Sequence, residues 1–261
     1  MERITTSYEQ SMQQLGARRV AGHQHWEADM TFLGAANIFY LTTLAVLRWF
    51  MQRRAAYDPK LLMQLYNVSC VVLAAISGIA IAAHKWQQRD GTFVCNKRGA
   101  QLGDTKDGLL TFGIYFYYYQ KYWEFMDTFI FMLRKSDRQV TFLHIYHHSS
   151  ITLVTMLAAQ FDTSGDTYLP ALLNSWIHVL MYGHYFLTSI GVKNAPWRKY
   201  LTSMQLLQFL AILAQNILAW FKGADCGFPD WYKATMMAYM ISMLVLFSNF
   251  YVQSYSKPKS V

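Results

Sequence analysis

Charged residues are scarce in this chain. Only 15% of its 261 residues are Asp, Glu, Lys or Arg, against about a quarter in soluble domains. Hydrophobic residues make up 54% of the chain and aromatic residues 16%. This balance excludes an ordinary soluble domain and predicts an all-α integral membrane protein.

A long apolar run near the N-terminus is also lacking. Residues 1–29 are polar and contain no apolar core of roughly 7 to 15 residues, so we expect no cleavable signal peptide. The net charge is +8, but the basic residues form short clusters between apolar runs. Such clusters fit loops beside anionic lipid, and we expect no binding of nucleic acid.

Apolar stretches follow one another along the rest of the chain. Seven of them approach the roughly 20 residues that a transmembrane helix needs. They lie at 30–50, 61–84, 109–133, 139–160, 167–190, 200–221 and 231–253. Neither an internal repeat nor a low-complexity segment interrupts them. The sequence therefore predicts seven transmembrane helices in one membrane domain, 30–253, between tails at 1–29 and 254–261.

Loop charges predict the orientation of this domain. Alternate loops are rich in basic residues, as cytosolic loops are. The basic residues in question are Arg48, Arg53, Arg54, Lys60, Arg134, Lys135, Arg138, Lys193, Arg198, Lys199, Lys257 and Lys259. We expect a lumenal N-terminus and a cytosolic C-terminus, although the predicted lumenal loop 85–106 also carries five basic residues.

Cysteines are few, and two of them fall in loops. Cys70 lies in the second predicted span, while Cys95 and Cys226 lie in two loops that this topology places in the lumen. An oxidising lumen permits a disulfide between Cys95 and Cys226. Two unpaired thiols are the alternative, because sequence does not determine the distance between them.

Ionisable residues occur inside two of the predicted spans, where such residues usually mark function. Lys121, Glu124 and Asp127 recur every three residues and share one helix face. An ion pair within the helix that only neutralises itself is the structural alternative. The histidines of the next span, His144, His147 and His148, also share one stripe. Their spacing suits a metal-ligand set or a catalytic cluster.

Polar side chains recur in the next two spans as well. Asn174, His178 and Tyr182 follow one helix face, and Gln205 and Gln208 lie in the sixth span. Isolated amides in a span often only join helices. At the helical rise, however, the histidines lie roughly 8 to 14 Å inside the fourth span and the other groups fall at the same level. We therefore predict one polar layer that faces a cavity open to the cytosol.

These residues form four motifs. They are KxxExxDT at 121–128, HxxHH at 144–148, NxxxHxxMYxYY at 174–185 and TxxQxxQF at 202–209. In this order and spacing they resemble the ELO family of very-long-chain fatty acid elongases, the 3-ketoacyl-CoA synthases of the endoplasmic reticulum. The resemblance extends from about residue 30 to the end. His184 departs from it, because the family has Tyr there.

The resemblance implies a fold and a reaction. Spans two to seven would enclose an acyl tunnel, with span one outside. The chain would condense acyl-CoA with malonyl-CoA to give 3-oxoacyl-CoA, CoA and carbon dioxide. By motif position, His147 would accept the acyl group, with His178 beside it. His144 and His148 would orient and tune His147 or polarise the malonyl thioester. A neutral imidazole is a competent nucleophile and a good leaving group, and a dry tunnel protects the acyl-histidine from hydrolysis.

Further expectations follow from the same resemblance. The remaining motif residues would bind substrate: Lys121, Glu124, Asp127, Asn174, Tyr182, Gln205 and Gln208. No metal or cofactor is expected. The expected partners are acyl-CoA, malonyl-CoA, membrane lipid and the reductases and dehydratase of the elongation cycle, with self-association left open. Lys257 and Lys259 match a retrieval signal for the endoplasmic reticulum membrane, or they form a plain solvated tail.

Substrate length is predicted from Gln139, five residues before the first histidine. Family members with this residue act on polyunsaturated or already long chains. We expect acyl chains of about 18 to 22 carbons, unsaturated ones included, each methylene adding about 0.8 kcal/mol of burial. His184 in place of Tyr is expected to change the cavity lining locally.

Two other classes of protein compete with this interpretation. Membrane di-iron desaturases and hydroxylases also carry HxxHH, but in several histidine boxes. This chain has eight histidines; His23, His25 and His84 lie away from the site, which leaves one box. A seven-helix receptor or transporter would explain the spans but not three histidines beside an acidic stripe.

Overall fold

A computed structural model of the protein describes residues 2, 6, 10, 25–88, 92–96, 108–161, 165–192, 196–223, 226 and 230–256. Every regular element in these ranges is helical. From residue 25 onward the α-helices are α1 (His25–Met51), α2 (Lys60–Gln87), α3 (Gly108–Trp123), α4 (Phe125–Leu133), α5 (Phe142–Phe161), α6 (Tyr168–Ser189), α7 (Arg198–Lys222) and α8 (Asp230–Tyr251). A 3-10 turn, Gly165–Thr167, precedes α6, and a π-helical turn, Val252–Ser256, extends α8.

Several helices are suited to cross a membrane. By length and composition the candidate spans are Met30–Met51, Lys60–Gln87, Arg198–Lys222 and Asp230–Tyr255. The protein is therefore an all-α, multi-pass membrane protein. α5 and α6 carry the two histidine-containing motifs, and α3 and α4 are shorter, with 16 and 9 residues. The count of seven spans and their orientation stay predictions. Lys257, Lys259 and most of the tail 1–29 lie outside the described residues.

The third predicted span is not one continuous helix. α3 ends at Trp123 and α4 begins at Phe125, with Glu124 in the turn between them. The N–H of Asp127 donates to the Glu124 carbonyl at 3.1 Å, which is a tighter step than in an α-helix. The predicted third span, 109–133, thus consists of two helices instead of one. The irregularity lies at the buried carboxylate of the KxxExxDT motif.

The fourth predicted span begins later than expected. α5 starts at Phe142, while Gln139 is exposed in the preceding turn, where its N–H donates to the Ser136 carbonyl at 2.8 Å. Lys135 has a φ of 53° in this turn, a left-handed conformation that ends a helix. His144 and His148 consequently lie only about 3 and 9 Å from the helix start.

Six of the helices form a closed ring. α2 packs against α3 and α6, α6 against α7, α7 against α8, α8 against α5, and α5 against α3. α1 packs against α4 and α5 and thus lies outside this ring, as the resemblance implied. α2 and α3 approach closely at Gly113, where a Cβ atom would lie 2.6 Å from Ile81 Cγ1. Ser77 Oγ donates to the Gly113 carbonyl at 2.9 Å.

A short segment, residues 92–96, is attached to the end of the ring where α6 begins. The fully buried Asp166 carboxylate accepts the N–H of Cys95 at 2.7 Å and that of Asn96 at 3.0 Å. Gln215 of α7 donates to the Asp166 carbonyl at 3.1 Å. Cys95 is joined to Cys226 by a disulfide, and Cys70 is a buried free thiol. We call residues 92–96 with Asp166, Gln215 and Cys226 the Asp166 cap.

Candidate active site

A buried ion pair lies at the centre of the site. Lys121 Nζ is 2.8 Å from Glu124 Oε1, and the two side chains are only 1% and 0% exposed. Gln120 Nε2 donates to the same oxygen at 3.1 Å. The spacing of Lys121 and Glu124 alone is also compatible with a purely structural pair. The pair is not isolated, because Lys121 Nζ also donates to Asn174 Oδ1 of α6 at 3.1 Å.

His178 approaches the other oxygen of Glu124. Its Nδ1 lies 2.9 Å from the backbone carbonyl of Asn174, so Nδ1–H is the donor in that bond. Its Nε2 therefore faces Glu124 Oε2, at 3.5 Å. Within the described ranges Glu124 Oε2 has no hydrogen-bond partner. The ring is thus held by its own helix with one nitrogen directed at a buried carboxylate.

Asn174 is oriented by two donors. Tyr117 Oη donates to its Oδ1 at 2.9 Å, in addition to Lys121 at 3.1 Å. With Oδ1 occupied in this way, the amide N–H groups lie on the other side of the side chain. Tyr182 and Asp127 meet in a separate contact, where Tyr182 Oη donates to Asp127 Oδ2 at 2.5 Å. That contact joins α4 to α6.

The three imidazoles of α5 have different surroundings. The ring centroids of His144 and His148 are 4.3 Å apart, and those of His147 and His148 5.4 Å apart. His144 Nε2 is 2.8 Å from Thr128 Oγ1, and His147 Nδ1 is 3.3 Å from Tyr239 Oη. His148 is buried, and no described residue bonds its Nδ1. The stripe therefore presents three chemically distinct histidines.

A cavity lies inside the ring, between α3, α5, α6, α7 and α8. The space in it and at its mouth, open solvent included, is about 560 Å³. His147, Asn174 and Gln208 line it, and Gln208 Oε1 is buried without a hydrogen-bond partner in the described part of the chain. We call these three residues the polar trio. Apart from them the lining is mostly apolar, with residues such as Ile151, Val154, Ile212, Met236 and Met240.

The cavity is elongated. Along α5 its lining runs from His147 to Ala158, a rise of about 16 Å. It reaches Thr167, the neighbour of Asp166 in the Asp166 cap. An apolar molecule with one polar end would therefore fit with that end at the polar trio and its tail toward the cap.

Most of the residues named from the sequence are not part of the described cavity lining: Lys121, Glu124, Asp127, His144, His148, His178, Tyr182, His184 and Gln205. Gln205 Nε2 is 3.7 Å from Met181 Sδ, and Gln205 is not part of the described cavity lining. His184 Nδ1 accepts a hydrogen bond from Trp197 Nε1 at 3.2 Å. His184 is not part of the described cavity lining, and its side chain is directed toward Trp197, just before α7.

Other side chains in the site were missed. Tyr117 lies four residues before Lys121, so the helical spacing that revealed the acidic stripe would also have indicated it. Tyr239 belongs to none of the four motifs, and its contact with His147 joins two helices that are far apart in the sequence. Thr128 stands within the KxxExxDT motif, but only its contact with His144 reveals a role.

The histidines of the site do not form a metal cluster in the described structure. The potential ligand atoms that lie close together in the described residues belong to Cys95, Asp166 and Cys226. Two of these are disulfide sulfurs, which are poor ligands because metals bind the thiolate.

The fold and site define a multi-pass helical membrane protein with a histidine–carboxylate centre at the polar end of an apolar cavity. Residues 25–261 match the model of the GNS1/SUR4 family. The chain belongs to this family, the ELO family, and the resemblance noted from its motifs is confirmed.

Curated relatives agree with this assignment. The chain is 34% identical over 223 residues to very long chain fatty acid elongase 5 of Mus musculus, covering 85% of this chain and 73% of the relative. Its identity to elongase 5 of Homo sapiens is 33% over 225 residues, with the same coverage. Elongase 2 of Mus musculus is 33% identical over 223 residues, with 85% and 75% covered.

Proposed function

We propose that this chain condenses a long-chain acyl-CoA with malonyl-CoA to give 3-oxoacyl-CoA, CoA and carbon dioxide. The observation that carries the proposal is the polar trio at one end of a mostly apolar cavity. The acyl tail would occupy the apolar part, and the thioester would lie at the trio. Family membership supports fatty acid elongation as the overall activity.

In the first half-reaction, His147 attacks the thioester carbon of the acyl-CoA. A bond forms between that carbon and the ring nitrogen, the C–S bond breaks, and CoA leaves as its thiolate. In this scheme His147 carries its hydrogen on Nδ1, which lies 3.3 Å from Tyr239 Oη, and the lone pair on Nε2 is left for the attack. The apolar walls exclude the water that would hydrolyse the acyl-imidazole.

In the second half-reaction, malonyl-CoA loses carbon dioxide and the electron pair of the broken C–C bond forms an enolate. The amide N–H groups of Asn174 and Gln208 donate to the enolate oxygen. The enolate carbon then attacks the acyl carbon, the C–N bond breaks, and His147 is regenerated. The orientation of Asn174 by Tyr117 and Lys121 supports this role.

His178 supports the reaction without being a second nucleophile. Its Nδ1–H is committed to the Asn174 carbonyl and its Nε2 faces Glu124. His178 and Glu124 therefore hold Asn174 and the ion pair beside the cavity. The enzyme works without metal or cofactor in this scheme. It resides in the endoplasmic reticulum membrane with its C-terminus in the cytosol, where the cycle's reductases and dehydratase receive the product.

An acyl-transfer experiment tests the proposed function. Membranes that contain the protein are incubated with acyl-CoA labelled in the acyl group, without malonyl-CoA. We expect a hydroxylamine-labile acyl adduct on the protein, which malonyl-CoA then discharges as labelled 3-oxoacyl-CoA. A desaturase or hydroxylase would leave the chain length unchanged, and a receptor or transporter would form no adduct. Either result would refute the proposal.

Substrate length provides a second prediction, tested with acyl-CoAs of about 10 to 24 carbons. We expect the highest rate at about 18 to 22 carbons, unsaturated chains included. Ala158 lines the cavity far from His147, so Ala158→Leu should shorten the preferred chain, each excluded methylene losing about 0.8 kcal/mol of burial. Rates on the shortest substrates should not change.

The matched control is Ala35→Leu on the exposed face of α1, which should leave the length profile as it is. Highest activity on saturated chains of about 10 to 14 carbons would contradict the preference and leave the reaction type standing. An unchanged profile in Ala158→Leu would show that the tail does not follow this cavity.

A further inference from the structure

Tyr40 is a fully buried residue on α1, the helix that lies outside the ring. Its neighbours Ile38, Phe39 and Leu41 are exposed, yet Tyr40 is 0% exposed. Its ring stacks on Phe125, with centroids 4.3 Å apart. Tyr40 is therefore directed toward the interior of the protein.

The hydroxyl of Tyr40 begins a chain of hydrogen bonds to the site. Tyr40 Oη lies 2.8 Å from Thr128 Oγ1, and Thr128 Oγ1 lies 2.8 Å from His144 Nε2. Each element contributes one member, α1 the phenol, α4 the alcohol and α5 the imidazole. The chain connects the outer helix to the histidine stripe through two short bonds.

Burial determines the direction of this chain. Within the described ranges, Thr128 is the hydrogen-bond partner of the Tyr40 hydroxyl. Because this hydroxyl is buried, its hydrogen needs an acceptor, and Tyr40 therefore donates to Thr128. Thr128 has one hydrogen and already accepts from Tyr40, so that hydrogen goes to His144 Nε2. If His144 Nε2 donated instead, the Thr128 or Tyr40 hydrogen would be left without an acceptor in this part of the structure.

We propose that Tyr40 and Thr128 are positioning residues that hold His144 as a neutral imidazole with its hydrogen on Nδ1. The outer helix thereby completes the site instead of serving only as a membrane anchor. The catalytic importance of the His144 tautomer rests on the proposed function. The assignment of the tautomer itself rests only on the hydrogen bonds. His144 lies against His148, which lies against His147, so the orientation of one ring constrains the next.

Three variants test the chain. Tyr40→Phe removes the hydroxyl and keeps the ring that stacks on Phe125. Thr128→Val removes the central donor, and Thr128→Ser retains it. The control is Tyr57→Phe, the same chemical change at an exposed residue before α2.

In an elongation assay, Tyr40→Phe and Thr128→Val should each lower kcat about tenfold, as expected for one lost buried hydrogen bond. KM for malonyl-CoA should change by no more than about twofold, since substrate contacts are intact. Thr128→Ser should recover most of the loss seen in Thr128→Val. The double variant Tyr40→Phe with Thr128→Val should be no slower than the slower single variant, because both break one chain.

A nitrogen NMR measurement decides the tautomer without any reference to catalysis. The reconstituted protein is labelled with ¹⁵N-histidine, and the His144 signals are assigned by their loss in His144→Asn. We expect an unprotonated Nε2 and a protonated Nδ1 in the wild type, and a mixture of tautomers in Tyr40→Phe. A wild-type His144 with its hydrogen on Nε2 would overturn the proposal even if elongation is confirmed. A wild-type His144 with its hydrogen on Nδ1 in a protein without elongation activity would refute the proposed function and leave the tautomer proposal standing.

Discussion

We expect His147→Ala to abolish both the acyl adduct and the synthesis of 3-oxoacyl-CoA. His147 is the histidine of the stripe that lines the described cavity, and no other group there supplies a free ring nitrogen. Removal of a nucleophile typically lowers the rate by about 10⁴-fold or more. The measurement is malonyl-CoA incorporation in microsomes, with the amount of inserted protein determined in parallel.

Comparison variants separate the roles of the site residues. His178→Ala should nearly abolish condensation, because Asn174 and Glu124 lose their support. Gln208→Ala should lose less, about 10² to 10³-fold, as for one donor to a developing oxyanion. His184→Gln is the matched histidine control and should retain activity, since His184 contacts Trp197 outside the cavity. Near-normal activity in His147→Ala, or a greater loss in Gln208→Ala, would refute this division of roles.

Glu124→Ala should give the largest loss of stability. It leaves Lys121, which is 1% exposed, without its carboxylate. Removing one partner of a buried ion pair costs about 3 to 5 kcal/mol. We expect a lower melting temperature in detergent, measured by the loss of the monodisperse peak after heating, together with loss of activity.

Replacement of both partners should be less damaging than replacement of one. The double variant Lys121→Met with Glu124→Leu removes both buried charges and should regain part of the stability while staying inactive. The control is Asp58→Ala, which breaks an exposed ion pair of 2.9 Å with Arg134. That pair should contribute no more than about 1 kcal/mol. A double variant less stable than Glu124→Ala would contradict this account.

Contacts within one helix were predictable from spacing. The Lys121–Glu124 pair and the hydrogen bond from His178 to Asn174 join residues three and four positions apart, and periodicity indicates such neighbours. Periodicity also placed Gln205 and Gln208 together. Only the packing of α7 against α6 directs Gln205 to Met181 and leaves Gln208 at the cavity.

Contacts between distant parts of the chain were not predictable. The bond from Tyr40 to Thr128 spans 88 residues, and that from Tyr239 to His147 spans 92. Neither pair shares a helix, so spacing carries no information about it. The break at Glu124 and the late start of α5 at Phe142 depend on local backbone geometry, which apolar run length does not reveal.

The Asp166 cap has a consequence for the order of events in an elongase of this kind. Segment 92–96 is fixed beside the far end of the cavity by Asp166 and by the disulfide, and under the proposed function an acyl tail would then enter and leave along one path. Release of the product is then the reverse of substrate binding. Each round adds two methylenes that must be drawn back past the apolar wall, about 1.6 kcal/mol more at 0.8 kcal/mol each. Product release would slow with every cycle of elongation. Release of the longest products would become the rate-limiting step, and this would limit the length of the acyl chain.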